Sequence, residues 1–99
     1  MFIINLTYTK SIETIEKELA NHSKFLDKYY SLGLLICSGR KQPRTGGMII
    51  SRSTSREEVE KMISEDPFYK NQLAEYELIE LIPTKYASGF ELFLTDKKS

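Results

Sequence analysis

The chain has 99 residues, 14 of them basic and 14 acidic, so its formal net charge is zero. That length suits one domain with a modest core, and the charge balance removes the electrostatic reason to expect nucleic acid or an anionic membrane as partner. No apolar stretch approaches a membrane span, the N-terminus lacks a basic leader, and the single cysteine cannot close an intramolecular disulfide, which together suit a reducing cytoplasm.

Residues 2–8 alternate as a strand, with Phe2, Ile4, Leu6 and Tyr8 on one face and Ile3, Asn5 and Thr7 on the other. Ser11 can cap a long helix, and Glu13 in its first turn suits the helix dipole. Along that helix Ile12, Ile15, Leu19, His22, Leu26 and Tyr29 recur at steps of three and four, which is one helix face. Gly33 is placed to end it in the left-handed conformation. Residues 34–38 read as a second strand, 39–47 as a polar connection in which Gly46-Gly47 marks a hairpin, and 48–52 as a third strand.

Ser55-Arg56-Glu57-Glu58 forms a capping box, opening a second helix whose apolar face is Val59, Met62 and Ile63. Asp66-Pro67-Phe68 breaks that helix and suits the start of a short one, with Asp as N-cap and Pro at the first helical position. Residues 75–83 read as a fourth strand. Phe90, Leu92 and Leu94 alternate as a short fifth strand before a polar C-terminal tail, Thr95 to Ser99.

The order β-α-β-β-α-β is the ferredoxin-like pattern of an α+β domain. Phe2-Ile3-Ile4, Leu34-Leu35-Ile36-Cys37, Met48-Ile49-Ile50 and Leu78-Ile79 are apolar on both faces, as in sheets covered on both sides. Two helices cover only one side of four strands, so a second copy packed sheet to sheet is expected, giving a homodimer. Cys37, inside an apolar run, reads as a buried inert thiol.

His22 is the only histidine, and it falls on the apolar stripe of the first helix. An imidazole there needs a polar partner. It is either a satisfied core residue or a proton-transfer group. Asp66 has a sufficient structural explanation as a helix cap, yet its second oxygen could orient an imidazole, as carboxylates do in catalytic triads. Arg40 follows Ser38-Gly39 at the end of a strand, where its guanidinium could grip a carboxylate and Ser38 could donate a hydrogen bond. Lys41 and Arg44 read as solvated loop residues. One histidine and one cysteine far apart make a poor metal site, no phosphate-binding glycine motif is present, and the third strand carries no aromatics to stack RNA bases. No cofactor is expected.

A histidine in the first helix, Leu32-Gly33-Leu34-Leu35, Ser38-Gly39, Gly46-Gly47 before a strand, Ser55 with Glu57-Glu58, and Asp66-Pro67-Phe68 form an ordered set. Over residues 1–94, taken as a single domain, this set resembles the YCII-related (YciI-like) family. The resemblance implies a ferredoxin-like fold that dimerises as an α/β barrel. It implies a histidine/aspartate pair in a cleft, which by motif falls on His22 and Asp66. It also implies isomerase- or elimination-type reactions on small, often aromatic-derived acids. In one departure, the family's Gly-Pro after the second strand is here Gly39-Arg40.

Two functions follow as expectations. In the first, the protein is a small cofactor-independent acid–base enzyme, with His22 and Asp66 catalytic and Arg40 and Ser38 binding a small acidic substrate. In the second, it is a non-catalytic dimeric ligand-binding or interaction module whose His22–Asp66 hydrogen bond is structural.

Overall fold

The computed structural model describes residues 1–94; the expected tail, 95–99, lies outside them. The elements run β1 (Phe2–Tyr8), α1 (Ile12–Lys17), α2 (Leu19–Ser31), β2 (Leu35–Arg40), β3 (Gly46–Ser51), α3 (Arg56–Ser64), α4 (Pro67–Lys70), β4 (Ala74–Glu80) and a terminal 3-10 helix (Phe90–Phe93). The four strands form one sheet in the order β2-β3-β1-β4, with every neighbouring pair antiparallel.

Alternation along β1 decides which face of the sheet is covered. Phe2, Ile4 and Leu6 are buried and join Ile15, Phe25, Tyr29, Val59, Met62 and Phe68 of the helices in the core. The other face of the same strands carries Ile3, paired with Ile50 and Ile79. There Met48 and Ile79 stay exposed in the single chain.

The first helical stretch is divided. Ser11 caps α1 by accepting the Thr14 N–H, but the Glu18 N–H bonds three residues back, to Ile15, rather than four. This tighter turn separates α1 from α2 and rotates the buried face. Phe25 and Tyr29 of α2 enter the core, whereas Leu19, expected on the stripe, is 40% exposed. Gly33 ends the helix with φ +78°, as its position predicts.

Cys37 corrects an expectation: it is exposed, not buried. An irregularity in β2 between Leu35 and Cys37 places Cys37 opposite Ile50, on the uncovered face. The β2–β3 connection is also shorter than its polar composition suggests, because both strands extend into it. Gly46 and Gly47 permit this. A Cβ on Gly46 would sit 1.8 Å from the Leu6 carbonyl oxygen, and one on Gly47 2.8 Å from that of Gly39, so only glycine lets these backbones approach.

The capping box at Ser55 is half formed. Ser55 Oγ accepts the Glu58 N–H, but the Glu58 carboxylate takes the Ser53 hydroxyl, and it is Ser53 Oγ that accepts the Ser55 N–H. The expected fifth strand is instead the terminal 3-10 helix. Gly89, at φ +96°, turns the chain into it, and Phe90 and Phe93 meet at i and i+3, ring centroids 5.7 Å apart. Three alternating apolar residues are too few to separate a period of two from one of three.

Candidate functional site

Asp66 stands at the junction of α3 and α4. As the α4 N-cap it accepts the Phe68 N–H on Oδ1 at 3.0 Å, and Pro67 begins the helix where no N–H is needed. This capping geometry aims the rest of the carboxylate at α2. Asp66 Oδ1 also accepts His22 Nδ1–H at 2.8 Å, and Oδ2 accepts the Tyr76 hydroxyl at 2.5 Å. Asp66 is 0% exposed. Phe68 N–H and the Tyr76 hydroxyl already donate to its two oxygens, so the matching role for His22 Nδ1 is that of a third donor.

Capping Asp66 also places Phe68 two residues on, and Phe68 lies parallel to the imidazole with ring centroids 4.1 Å apart. His22 is therefore held at one edge by Asp66 and covered on one face by Phe68. Its side chain is 13% exposed. With Nδ1 committed, Nε2 is the ring nitrogen left for chemistry, and among the described residues it forms no hydrogen bond.

His22 and Phe68 line a cavity of about 220 Å³ together with Leu6, Leu26, Ser38, Arg40 and Arg44. The walls are mainly apolar, with polar groups at a few points, the usual make-up of a small-molecule site. Ser38 Oγ lies 2.9 Å from the Tyr30 hydroxyl. Arg40 is exposed, and its side chain has no hydrogen bond or ion pair among the described residues. It is thus unengaged at the cavity edge. The four residues singled out in the sequence do converge: His22, Ser38 and Arg40 line the cavity, and Asp66 lies behind His22.

Two residues escape the sequence reading. Arg44, expected to be a solvated loop residue, lines the cavity and reaches Glu16 of α1 at 3.1 Å. The hydrogen bond it donates to Glu16 outweighs opposing desolvation and raises its pKa above the ordinary value. Tyr76 is the second. It pairs with Leu6 across β4 and β1, on the covered side of the sheet, where a phenol must find a hydrogen-bond partner. That register was the available signal. Burial, followed by the charge of Asp66 and the bond to it, raises the Tyr76 pKa well above the usual phenol value. Lys41 points elsewhere, donating to Asn5 and Thr7.

Among the described residues no group of three or more His, Cys, Asp or Glu side chains is arranged to hold a metal ion, and no helix is long and apolar enough to cross a membrane.

Residues 1–82 match the family model of the YCII-related domain, and the chain belongs to that family. A similar solved structure is 5-chloro-2-hydroxyhydroquinone dehydrochlorinase (TftG) from Burkholderia phenoliruptrix AC1100, in complex with 2,5-dihydroxybenzoquinone. The two chains share 20% identity with a TM-score of 0.71, over 82% of this chain and 92% of that one. This likeness is one of fold. Comparison with curated proteins gives no match.

Proposed function

We propose that this protein is a small cofactor-independent enzyme whose His22 moves a proton in an isomerase- or lyase-type reaction on a small acidic, aromatic-derived metabolite. The observation that carries the reading is the His22–Asp66 bond of 2.8 Å at the edge of a largely apolar cavity. Nδ1–H is donated to Asp66, so the neutral ring presents the Nε2 lone pair as a base. Nε2 takes a proton from a carbon beside a carbonyl or from a ring hydroxyl. The released electron pair moves into the conjugated system. In an isomerisation the proton returns at another atom; in an elimination an anionic leaving group departs. Asp66 orients the ring and stabilises the imidazolium as it forms. Arg40 and Ser38 hold the acidic group of the substrate.

The dehydrochlorinase of like fold supports the elimination branch and supplies a first probe, 2,5-dihydroxybenzoquinone. The assembly belongs to the same reading. Two ferredoxin-like sheets meeting through Ile3, Met48, Ile50 and Ile79 would form a dimeric α/β barrel, each copy covering the other's open face.

The test is a panel of hydroxylated quinones, halogenated hydroquinones and aromatic acids, first scored by perturbation of the single histidine's ring signals and then by turnover. For a turned-over compound, His22→Ala lowers the rate by about 10²–10⁴-fold, the range of positioned acid–base groups. Full activity in both His22→Ala and Asp66→Asn would overturn the reading.

A further inference from the structure

We propose that Tyr76 is a positioning residue that sets the strength of the His22–Asp66 bond by drawing carboxylate charge toward Oδ2. The inference rests on the acid–base reading of His22. The carboxylate of Asp66 is shared unevenly. Oδ1 accepts two N–H groups, those of His22 and Phe68, at 2.8 and 3.0 Å. Oδ2 accepts a single hydroxyl, at 2.5 Å, a short bond of the kind that O–H donors make to charged acceptors.

A carboxylate has one negative charge to divide between two oxygens. A strong donor on Oδ2 reduces the charge available at Oδ1, so the pull on His22 Nδ1–H is moderated. The same bond limits rotation of the carboxylate, keeping Oδ1 in line with both N–H groups. Tyr76 does not line the cavity, so any influence on chemistry passes through Asp66. Its phenol keeps its proton across the neutral range, since burial and the facing charge both oppose ionisation. Tyr76 is therefore a standing donor and does not compete as a base. Tyr69, whose ring meets it edge-on at 5.6 Å, helps hold the phenol in place.

The measurement is the His22 Nδ1–H proton resonance, which moves downfield as that hydrogen bond strengthens. The chain holds one histidine, so the signal is assigned without ambiguity. In Tyr76→Phe the signal is expected downfield of the natural protein. Replacing Tyr76 with a ring-fluorinated tyrosine keeps the hydroxyl and the fold while making a stronger donor, and moves the signal upfield. Opposite displacements in these two proteins support the inference. An unchanged signal, or a displacement of both in the same direction, overturns it. If Tyr76→Phe does not fold, the fluorinated protein decides alone: upfield supports, any other result overturns. Failure of the underlying reading looks different: turnover would be unchanged in His22→Ala and Asp66→Asn, while the two opposite displacements of the Nδ1–H signal would persist.

Discussion

The ring of Phe68 lies flat on the imidazole of His22, the two planes 4° from parallel and the centroids 4.1 Å apart. Phe68 reaches that place because Asp66, two residues earlier, caps α4 with the oxygen that also binds His22. One N-cap thus sets both the partner at the edge of the imidazole and the cover on its face. Phe68 is 2% exposed. Phe68→Ala is expected to cost about 3–5 kcal/mol in urea unfolding, the range for deleting a buried phenyl ring. A loss under about 1 kcal/mol would mean the stack contributes nothing beyond a replaceable surface contact.

Capping and charge separate in Asp66 variants. Asn caps helices about as well as Asp, so Asp66→Asn should lose little of the capping contribution, whereas Asp66→Ala forfeits about 1 kcal/mol for the cap alone and leaves His22 and Tyr76 without their acceptor. The prediction is a marked stability gap between the two variants, with turnover impaired in both. Equal stability in denaturant melts would contradict the role of Oδ1 as a cap.

Glu65 ties α3 to α2. Its carboxylate accepts Lys28 Nζ at 2.8 Å and the Tyr29 hydroxyl at 2.6 Å, and these two bonds, Lys28 first, lower its pKa from the ordinary 4.5. A depressed folded-state pKa means stability that is complete above the unfolded value and lost as pH falls through the folded one. Glu65→Gln should flatten that part of the acid limb. Tyr29 behaves oppositely. Burial, then Glu65, raises it from 10.0 to about 12, so its contribution is complete below pH 10 and fades as pH rises toward 12. Tyr29→Phe should remove that alkaline loss and cost about 0.5–1.5 kcal/mol at neutrality. Unfolding curves across pH check both.

The glycines of β3 give a steric prediction. Gly46→Ala would drive a methyl group into the Leu6 carbonyl and should cost about 3 kcal/mol or more, beyond ordinary overpacking. Gly39→Ala meets nothing within 4 Å and serves as the neutral control. Similar melting temperatures for the two variants would show that β1 and β3 are not held this close.

The open sheet face leads to a prediction about assembly. Met48 and Ile79 are 39% and 43% exposed in the single chain, so Met48→Glu with Ile79→Glu should leave the fold intact while converting a dimer to a monomer in sedimentation analysis. A natural protein that sediments as a monomer would contradict sheet-to-sheet pairing.

Local signals carried much of this architecture. Alternation placed β1, the Ser11 and Gly33 punctuation bounded the first helical stretch, and Asp66-Pro67 announced a cap. What escaped depends on long-range geometry. The irregularity in β2 that exposes Cys37 follows from pairing with β3, not from the run Leu34–Cys37 itself. Arg44 was indistinguishable from any loop cation until Glu16 of α1 lay beside it. Tyr76 sits between two glutamates in an otherwise ordinary strand, and its importance follows from the register that puts it behind Asp66. His22 was legible as an imidazole in need of a partner; that Phe68 covers it was not, because the stack is created by the cap.

The most direct test of the account is a long-range nitrogen–proton correlation spectrum of the His22 ring. Nδ1 bonded to a buried carboxylate fixes the tautomer of the neutral imidazole. The account predicts a protonated Nδ1 and an unprotonated Nε2, with the preference weakened in Asp66→Asn. A neutral ring carrying its proton on Nε2, or one whose tautomers ignore the loss of the Asp66 charge, would contradict it.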